Sequence, residues 1–249
     1  MTAMFETIEM AEFGSGTGLP IALLHEGLGS VAMWREFPLR LAEATGHRVI
    51  AWSRQGYGAS SPFQRPYDPD FMHREADAGA RLLQVHGIDR AHLFGHSDGA
   101  SIGLLMAARH PGLAASLILE APHVFIETMC VDRITEFGAT AKQSGVLDRL
   151  GKYHRDARAA FRQWHDIWVD RRFADWSIDE DIAGLSVPTL LIQGEDDEYG
   201  TFAQLDRIAG RLPGTQQLRL PRCGHSPHRD QETAVLDAAA AFLGNMKDA

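Results

Sequence analysis

Apolar residues fall along the chain in short continuous runs that alternate with runs of helical spacing. Residues 19–24 are apolar except at the start and lead into a glycine-rich loop, which predicts a strand buried on both faces. Phe37, Leu41 and Ala44 then repeat at helical spacing, and 48–52 forms a second apolar run. Met72, Ala76, Ala80 and Leu83 share one face of a helix over 71–86 that Gly87 stops. A third strand is expected at 91–94, and a buried helix at 100–109 ends before Pro111-Gly112. Three more strands are expected at 117–119, 189–193 and 216–220, and a closing helix at 232–243. Strands alternating with helices predict an α/β protein, a mostly parallel twisted sheet with helices on both faces.

One segment interrupts the alternation. Residues 123–185 contain no strand pattern but several helical stretches, and three of the five tryptophans lie there, at Trp164, Trp168 and Trp176. The expected organisation is a core of 1–122 and 186–249 with a helical insertion at 123–185. Its aromatic stripe is either the packing core of the insertion or, at Trp164 and Trp168, the wall of a pocket over the sheet.

Composition narrows the function. The 249 residues carry 24 Lys+Arg against 33 Asp+Glu, a net charge of −9 with no basic run, so a nucleic-acid surface is not expected. No apolar run approaches the length of a membrane span, and no secretory leader is visible, so a cytoplasmic protein is expected. Cys130 and Cys223 form no Cys-x-x-Cys pair and read as free thiols of a reducing compartment. The 12 histidines are dispersed, there is no His-Glu-x-x-His, and Pro227 separates His225 from His228. Neither a metal nor a cofactor is expected.

The chemistry concentrates at Gly95-His96-Ser97-Asp98-Gly99, between a predicted strand and a predicted helix. A strand that turns straight into a helix leaves room only for near-absent side chains two residues either side of the central serine. It presents that serine at a helix N-terminus, where backbone N–H groups favour negative charge. A serine hydroxyl needs a base, and the base needs an orienting acid. The strand at 189–193 runs into Gly194-Glu195-Asp196-Asp197, and the strand at 216–220 is followed by Gly224-His225. The 28 residues from Asp197 to His225 leave room for one helix and one strand, so both return to the carboxyl edge of the sheet beside Ser97. Glu120 ends a neighbouring strand and is the alternative acid. His228 competes with His225 as the base but is placed on the final helix. His25, His96 and His123 are expected to be structural or to line the pocket.

These motifs resemble the α/β-hydrolase family over nearly the whole chain. The resemblance rests on His25-Glu26-Gly27-Leu28-Gly29, Gly56-Tyr57-Gly58-Ala59-Ser60, the elbow at Ser97, Gly194-x-x-Asp197 and Gly224-His225. It implies eight strands with a lid after the sixth, and the short N-terminal region predicts that the first strand is missing. It also implies a Ser97–His225–Asp197 triad in which Asp197 is preferred to Glu120. The oxyanion hole would be made by the N–H of Asp98 and one from the glycine loop, with Gly27 preferred to Leu28. The Asp98 carboxylate itself is expected to be a solvated helix-start acid. Leu28, His96, His123, Trp164 and Trp168 are the expected pocket residues.

The implied activity is hydrolysis of a carboxylic ester or thioester of a small, apolar substrate, with water as the second reactant. A serine at position 97 counts against dehalogenase and epoxide-hydrolase relatives, which attack with aspartate. Two alternatives stay open. One is a carbon–carbon bond hydrolase of ring-cleavage products, although these carry an aromatic residue after the catalytic histidine where this chain has Ser226. The other is a non-hydrolysing receptor of a small ligand on the same fold. Oligomeric state is open, a homodimer included.

Overall fold

A computed structural model describes residues 7–141 and 143–246. Seven strands form one sheet among the described residues: β1 (Met10–Phe13), β2 (Ile21–Leu24), β3 (Val49–Trp52), β4 (Ala91–His96), β5 (Ala114–Glu120), β6 (Thr189–Gly194) and β7 (Gln216–Leu220). The spatial order is β1-β3-β2-β4-β5-β6-β7. Every neighbouring pair is parallel except β1 with β3, where Met10 opposes Trp52 and Phe13 opposes Val49. The chain runs outward from β2 to β3 and then crosses back to β4. The loops after β2 and β4 therefore diverge and leave a crevice at the carboxyl edge.

Side-chain alternation divides the core in two. Ile21, Leu23, Val49, Ala51, Phe94 and Ile118 point to the face covered by α1 (Phe37–Thr45) and, at the end of the chain, α9 (Glu232–Gly244). Ala22, Leu24, Ile50, Trp52, Leu93, Leu117 and Leu119 point to the face covered by α2 (Phe71–Val85) and α3 (Asp98–Arg109). Because α3 is covered by sheet, α2 and the insertion, it is buried at every position from Asp98 to Ala107. This explains its lack of a polar face in the sequence.

Between β5 and β6 the chain forms α4 (Thr128–Thr140), α5 (Val146–Leu150) and α6 (Ala157–Trp168). Phe161, Trp164, Ile167 and Trp168 of α6 are buried in the same cluster as α2 and α3. The insertion thus packs as a third layer over one end of the sheet. After β6 come α7 (Ala203–Arg211) and, following β7, the single turn α8 (Pro227–Asp230).

Three expectations need correction. Among the described residues the sheet has seven strands, one fewer than the family's eight and one more than the six apolar runs, because β1 pairs antiparallel at an edge and its half-buried residues give no continuous apolar run. Strand β5 begins at Ala114 and not at 117, and β4 continues to His96. His228 lies on α8, which breaks at Gln231 before α9 begins, and so does not belong to the closing helix.

Candidate active site

Ser97 stands between β4 and α3 with φ 54° and ψ −120°, a backbone conformation that non-glycine residues rarely adopt. The surroundings hold it there. Its N–H donates to the Glu120 carbonyl at 2.9 Å, and its carbonyl accepts from Ala100 N at 2.9 Å. The flanking glycines are required by contact. A Cβ on Gly95 would lie 2.4 Å from the Gly99 carbonyl oxygen, and one on Gly99 would lie 2.1 Å from the Leu24 carbonyl oxygen. The second contact also locks the start of α3 against the end of β2, the strand that leads into the glycine loop.

Ser97, His225 and Asp197 meet in one line. His225 Nε2 lies 2.9 Å from Ser97 Oγ, and His225 Nδ1 lies 2.8 Å from Asp197 Oδ1. Asp197 Oδ1 also accepts from the N–H groups of Tyr199 (2.8 Å) and Gly200 (3.2 Å), and Oδ2 accepts from Gln193 Nε2 at 3.1 Å. Burial works to raise the pKa of Asp197, but the charge and hydrogen bond of His225 outweigh it, and the carboxyl lies below its ordinary value. With Asp197 charged, Nδ1 keeps the imidazole proton and Nε2 faces the serine as an acceptor.

Glu120 has a different partner. Its Oε2 receives His228 Nδ1 at 2.6 Å, and both side chains are buried. The imidazole of His228 packs against Trp34 and Phe37, with ring centroids 4.8 and 5.3 Å away. Between this pair and His225 sits His96, whose Nε2 donates to the His225 carbonyl oxygen at 2.7 Å and whose Nδ1 lies 3.7 Å from Glu26. Burial disfavours a charge on His96, yet Glu26 raises its pKa; in turn His96 and Arg229 hold the Glu26 carboxyl well below its ordinary range. His96, Glu120 and His228 could each bring one ligand atom within 4.8 Å of the others. One nitrogen of each histidine is already engaged in the bonds just described, and the trio acts as a brace beneath the His225 loop.

A cavity of about 150 Å³ opens over Ser97. Gly27 and Leu28 of the glycine loop form one wall, and His123 and Tyr199 another. Cys130, Ile134, Phe137, Trp164 and Trp168 of the insertion form the roof. All five expected pocket residues are there: Leu28, His96, His123, Trp164 and Trp168. His123 is buried against Trp168 and His225, and burial pushes its pKa down to about 3, so it is a neutral wall. Cys130 is a protonated thiol, its pKa raised by burial. Larger clefts, of about 450, 490 and 570 Å³, lie beside residues 63–67, beside residues 147–158 and at the amino edge of the sheet, and Ser97 lines none of them.

The Asp98 carboxylate is not solvated as expected. The residue is 1 % exposed and faces this cavity; its oxygens make no hydrogen bond of regular geometry, and their nearest polar partners are the Arg54 guanidinium, with Nη2 3.9 Å from Oδ2, and the Trp168 indole N–H. Burial pushes its pKa up to about 6, against the pull of Arg54. A sequence cannot tell an inward acid at a helix start from an outward one, because both satisfy the same dipole. The site also includes residues that the motifs did not single out: Arg54 behind the loop, Gln193 on Asp197, and Tyr199, whose ring lies 4.8 Å from that of His225. Arg54 did carry a signal, a lone cation between an apolar strand and Gly56-Tyr57-Gly58.

A crevice at a strand-order reversal, a strained serine between strand and helix, and a histidine and carboxylate on the next strand ends define an α/β protein of hydrolase architecture. The chain matches the alpha/beta hydrolase family over residues 21–238 and belongs to it. It is 24% identical over 190 residues to the human serine hydrolase BPHL, a match covering 72% of this chain and 64% of that protein. It is 23% identical to 2-hydroxy-6-oxo-6-phenylhexa-2,4-dienoate hydrolase of Burkholderia cepacia, over 93% of this chain and 90% of that protein. Among solved structures, a thermophilic esterase from Thermogutta terrifontis superposes with a TM-score of 0.75 at 21% identity, covering 98% of this chain and 96% of that one. None of the described helices is long and apolar enough to cross a membrane.

Proposed function

We propose that this protein is a serine hydrolase of small carboxylic esters, acting through an acyl-enzyme. The carrying observation is the line Ser97 Oγ–His225 Nε2, His225 Nδ1–Asp197 Oδ1, at 2.9 and 2.8 Å beneath a largely apolar cavity. Ser97 Oγ attacks the ester carbonyl while His225 Nε2 takes its proton, and Asp197 stabilises the imidazolium. The developing oxyanion is met by the N–H of Asp98, at the first position of α3, and by that of Gly27 or Leu28. His225 returns the proton to the leaving alcohol. A water, deprotonated by His225, then releases the acid.

The cavity shapes the substrate. Its volume suits a short acyl and alcohol part, and its Trp and Phe roof suits an apolar one. The buried carboxylate of Asp98 adds a polar demand: with Arg54 only at 3.9 Å, a substrate that carries an ammonium or other hydrogen-bond donor near the carbonyl would satisfy an acceptor that has no close hydrogen bond of regular geometry. A second reading, carbon–carbon hydrolysis of a ring-cleavage product, is favoured by the names of such relatives as the Burkholderia cepacia enzyme. Labelling with a fluorophosphonate probe, followed by turnover of paired esters and of a ring-cleavage dienoate, separates the readings. Labelling of Ser97 with repeated ester turnover is expected. At most a single turnover would indicate a receptor, and preference for the dienoate would indicate the second reading.

A further inference from the structure

Arg54 lies just past the end of β3 and is 4 % exposed. Its guanidinium donates to the His25 carbonyl oxygen at 2.7 Å through Nη1 and to the Glu26 carbonyl oxygen at 3.1 Å through Nη2. Its backbone N–H donates to His25 Nε2 at 3.0 Å, and His25 Nδ1 in turn donates to the Glu26 carbonyl oxygen at 2.7 Å. This residue therefore ties down the loop that carries Gly27 and Leu28. The same Nη2 lies 3.9 Å from Asp98 Oδ2.

A second carboxylate approaches from the other side. Glu75 of α2 shares with Arg54 and His25 the wall of a small cavity of about 10 Å³. It accepts from Tyr67 Oη at 3.2 Å. The other titratable groups around the guanidinium are the phenols of Tyr57 and Tyr67, the neutral His25, and Glu26. Asp98 is faced in addition by His225, by Glu26, by the protonated Cys130 thiol and by the Trp168 indole N–H. One buried positive charge thus serves two acids, of which only Asp98 lines the cavity over Ser97. Glu75, like Asp98, has its pKa raised, burial being the largest cause.

We propose that Arg54 and Glu75 are positioning residues that set the charge of the substrate-facing Asp98 carboxylate. Arg54 holds it ionised at the wall of the cavity, and Glu75 draws on the same guanidinium and limits that hold. The inference rests on the ester-hydrolase reading and on Asp98 meeting a donor of the substrate. The affinity of the site for a cationic group is then tuned from α2, outside the cavity.

The test is a ratio: kcat/KM for an ester bearing an ammonium group divided by kcat/KM for the ester in which methyl replaces it. It is measured between about pH 4.5 and 7, where an α-ammonium stays charged. Pairs with the ammonium in the acyl part and in the alcohol part are both used. Ionisation of the triad affects both esters of a pair and cancels. In the wild type the ratio is expected to rise with pH through a midpoint near 6. Glu75→Gln keeps the bond to Tyr67 but removes the competing charge, and should move the midpoint down by about half a pH unit or more. Arg54→Met should move it up by about one unit or more. If that variant does not fold, Arg54→Lys should give a smaller upward shift. A wild-type midpoint that Glu75→Gln leaves in place overturns the proposal and spares the Asp98 reading. A ratio near one at every pH in the wild type overturns both, while turnover of the neutral ester still speaks for the triad.

Discussion

Replacing Asp197 by Asn tests the acid of the triad. Every group that meets this carboxylate is a donor: His225 Nδ1, the N–H groups of Tyr199 and Gly200, and Gln193 Nε2. An amide has one oxygen to offer. If that oxygen takes the place of Oδ1, the new NH₂ opposes Gln193 Nε2, which is itself held by a 2.8 Å bond to the Gly200 carbonyl oxygen. Turning Gln193 over to relieve this leaves that carbonyl unpaired, at about 1–3 kcal/mol. If the NH₂ takes the place of Oδ1, His225 must accept at Nδ1, and Nε2 then carries the proton and cannot act as base. In either arrangement the charge opposite the imidazolium is gone. At a separation of about 4 Å and an effective dielectric near 20 that charge contributes about 4 kcal/mol, or about a thousandfold in rate. The expected result is kcat lowered about 10²- to 10⁴-fold with KM little changed, measured as ester turnover by the purified, folded variant. Asp196→Asn, at an exposed position, should be near wild type. Glu120→Gln should act through its bond to His228, on stability before turnover. Asp197→Asn within tenfold of wild type, with Glu120→Gln as damaging as loss of the serine, would refute the assignment.

Ser97→Ala should fold, lose fluorophosphonate labelling and lower turnover at least about a thousandfold; labelling that persists elsewhere would contradict the assignment. Gly99→Ala, whose Cβ meets the Leu24 backbone, should lower both thermal stability and turnover. Gly103→Ala in the same helix, with its nearest contact 3.7 Å away at Leu119, should raise stability by about 0.5–1 kcal/mol in a denaturant titration. Asp98→Asn should flatten the pH dependence of stability. A carboxyl whose folded pKa is raised from 3.8 to about 6 contributes stability that is fully present below about pH 4 and lost as pH rises through 6, worth about 3 kcal/mol. Denaturant midpoints for the variant and the wild type at pH 4 and 8 measure the difference. Dialysis against a chelator should leave turnover unchanged; activity lost and restored by zinc would give the His96–Glu120–His228 trio a ligating role.

The central strands were legible in the sequence because burial on both faces demands continuous apolar runs, as at Ile21–Leu24 and Thr189–Gly194. The elbow was legible because a steric demand as severe as that at Gly95 and Gly99 leaves almost no choice of residue. Strand β1 was not, since an edge strand of intermediate burial has no pattern to show. The polar interior was also hidden. Glu120 with His228 and Arg54 with Asp98 are 108 and 44 residues apart in sequence, and nothing local tells which charged side chains turn inward. Asp98 is the clearest case, because the helix dipole explains the residue type equally well whether its carboxylate meets solvent or the cavity.

The three side chains that meet at Ser97 come from positions 97, 197 and 225, on loops following β4, β6 and β7. During synthesis, the segment from β1 to α3 emerges with its elbow and its glycine loop already encoded, but without a base. A nascent or truncated chain that ends before β7 can bury much of its core and, on the proposed mechanism, is expected to lack turnover. In refolding from denaturant, helical signal from the locally packed α2, β4 and α3 should therefore recover before ester turnover, which waits for β7 to pair with β6 and bring His225 into line. On the proposed mechanism, the appearance of activity would report the pairing of β7 with β6.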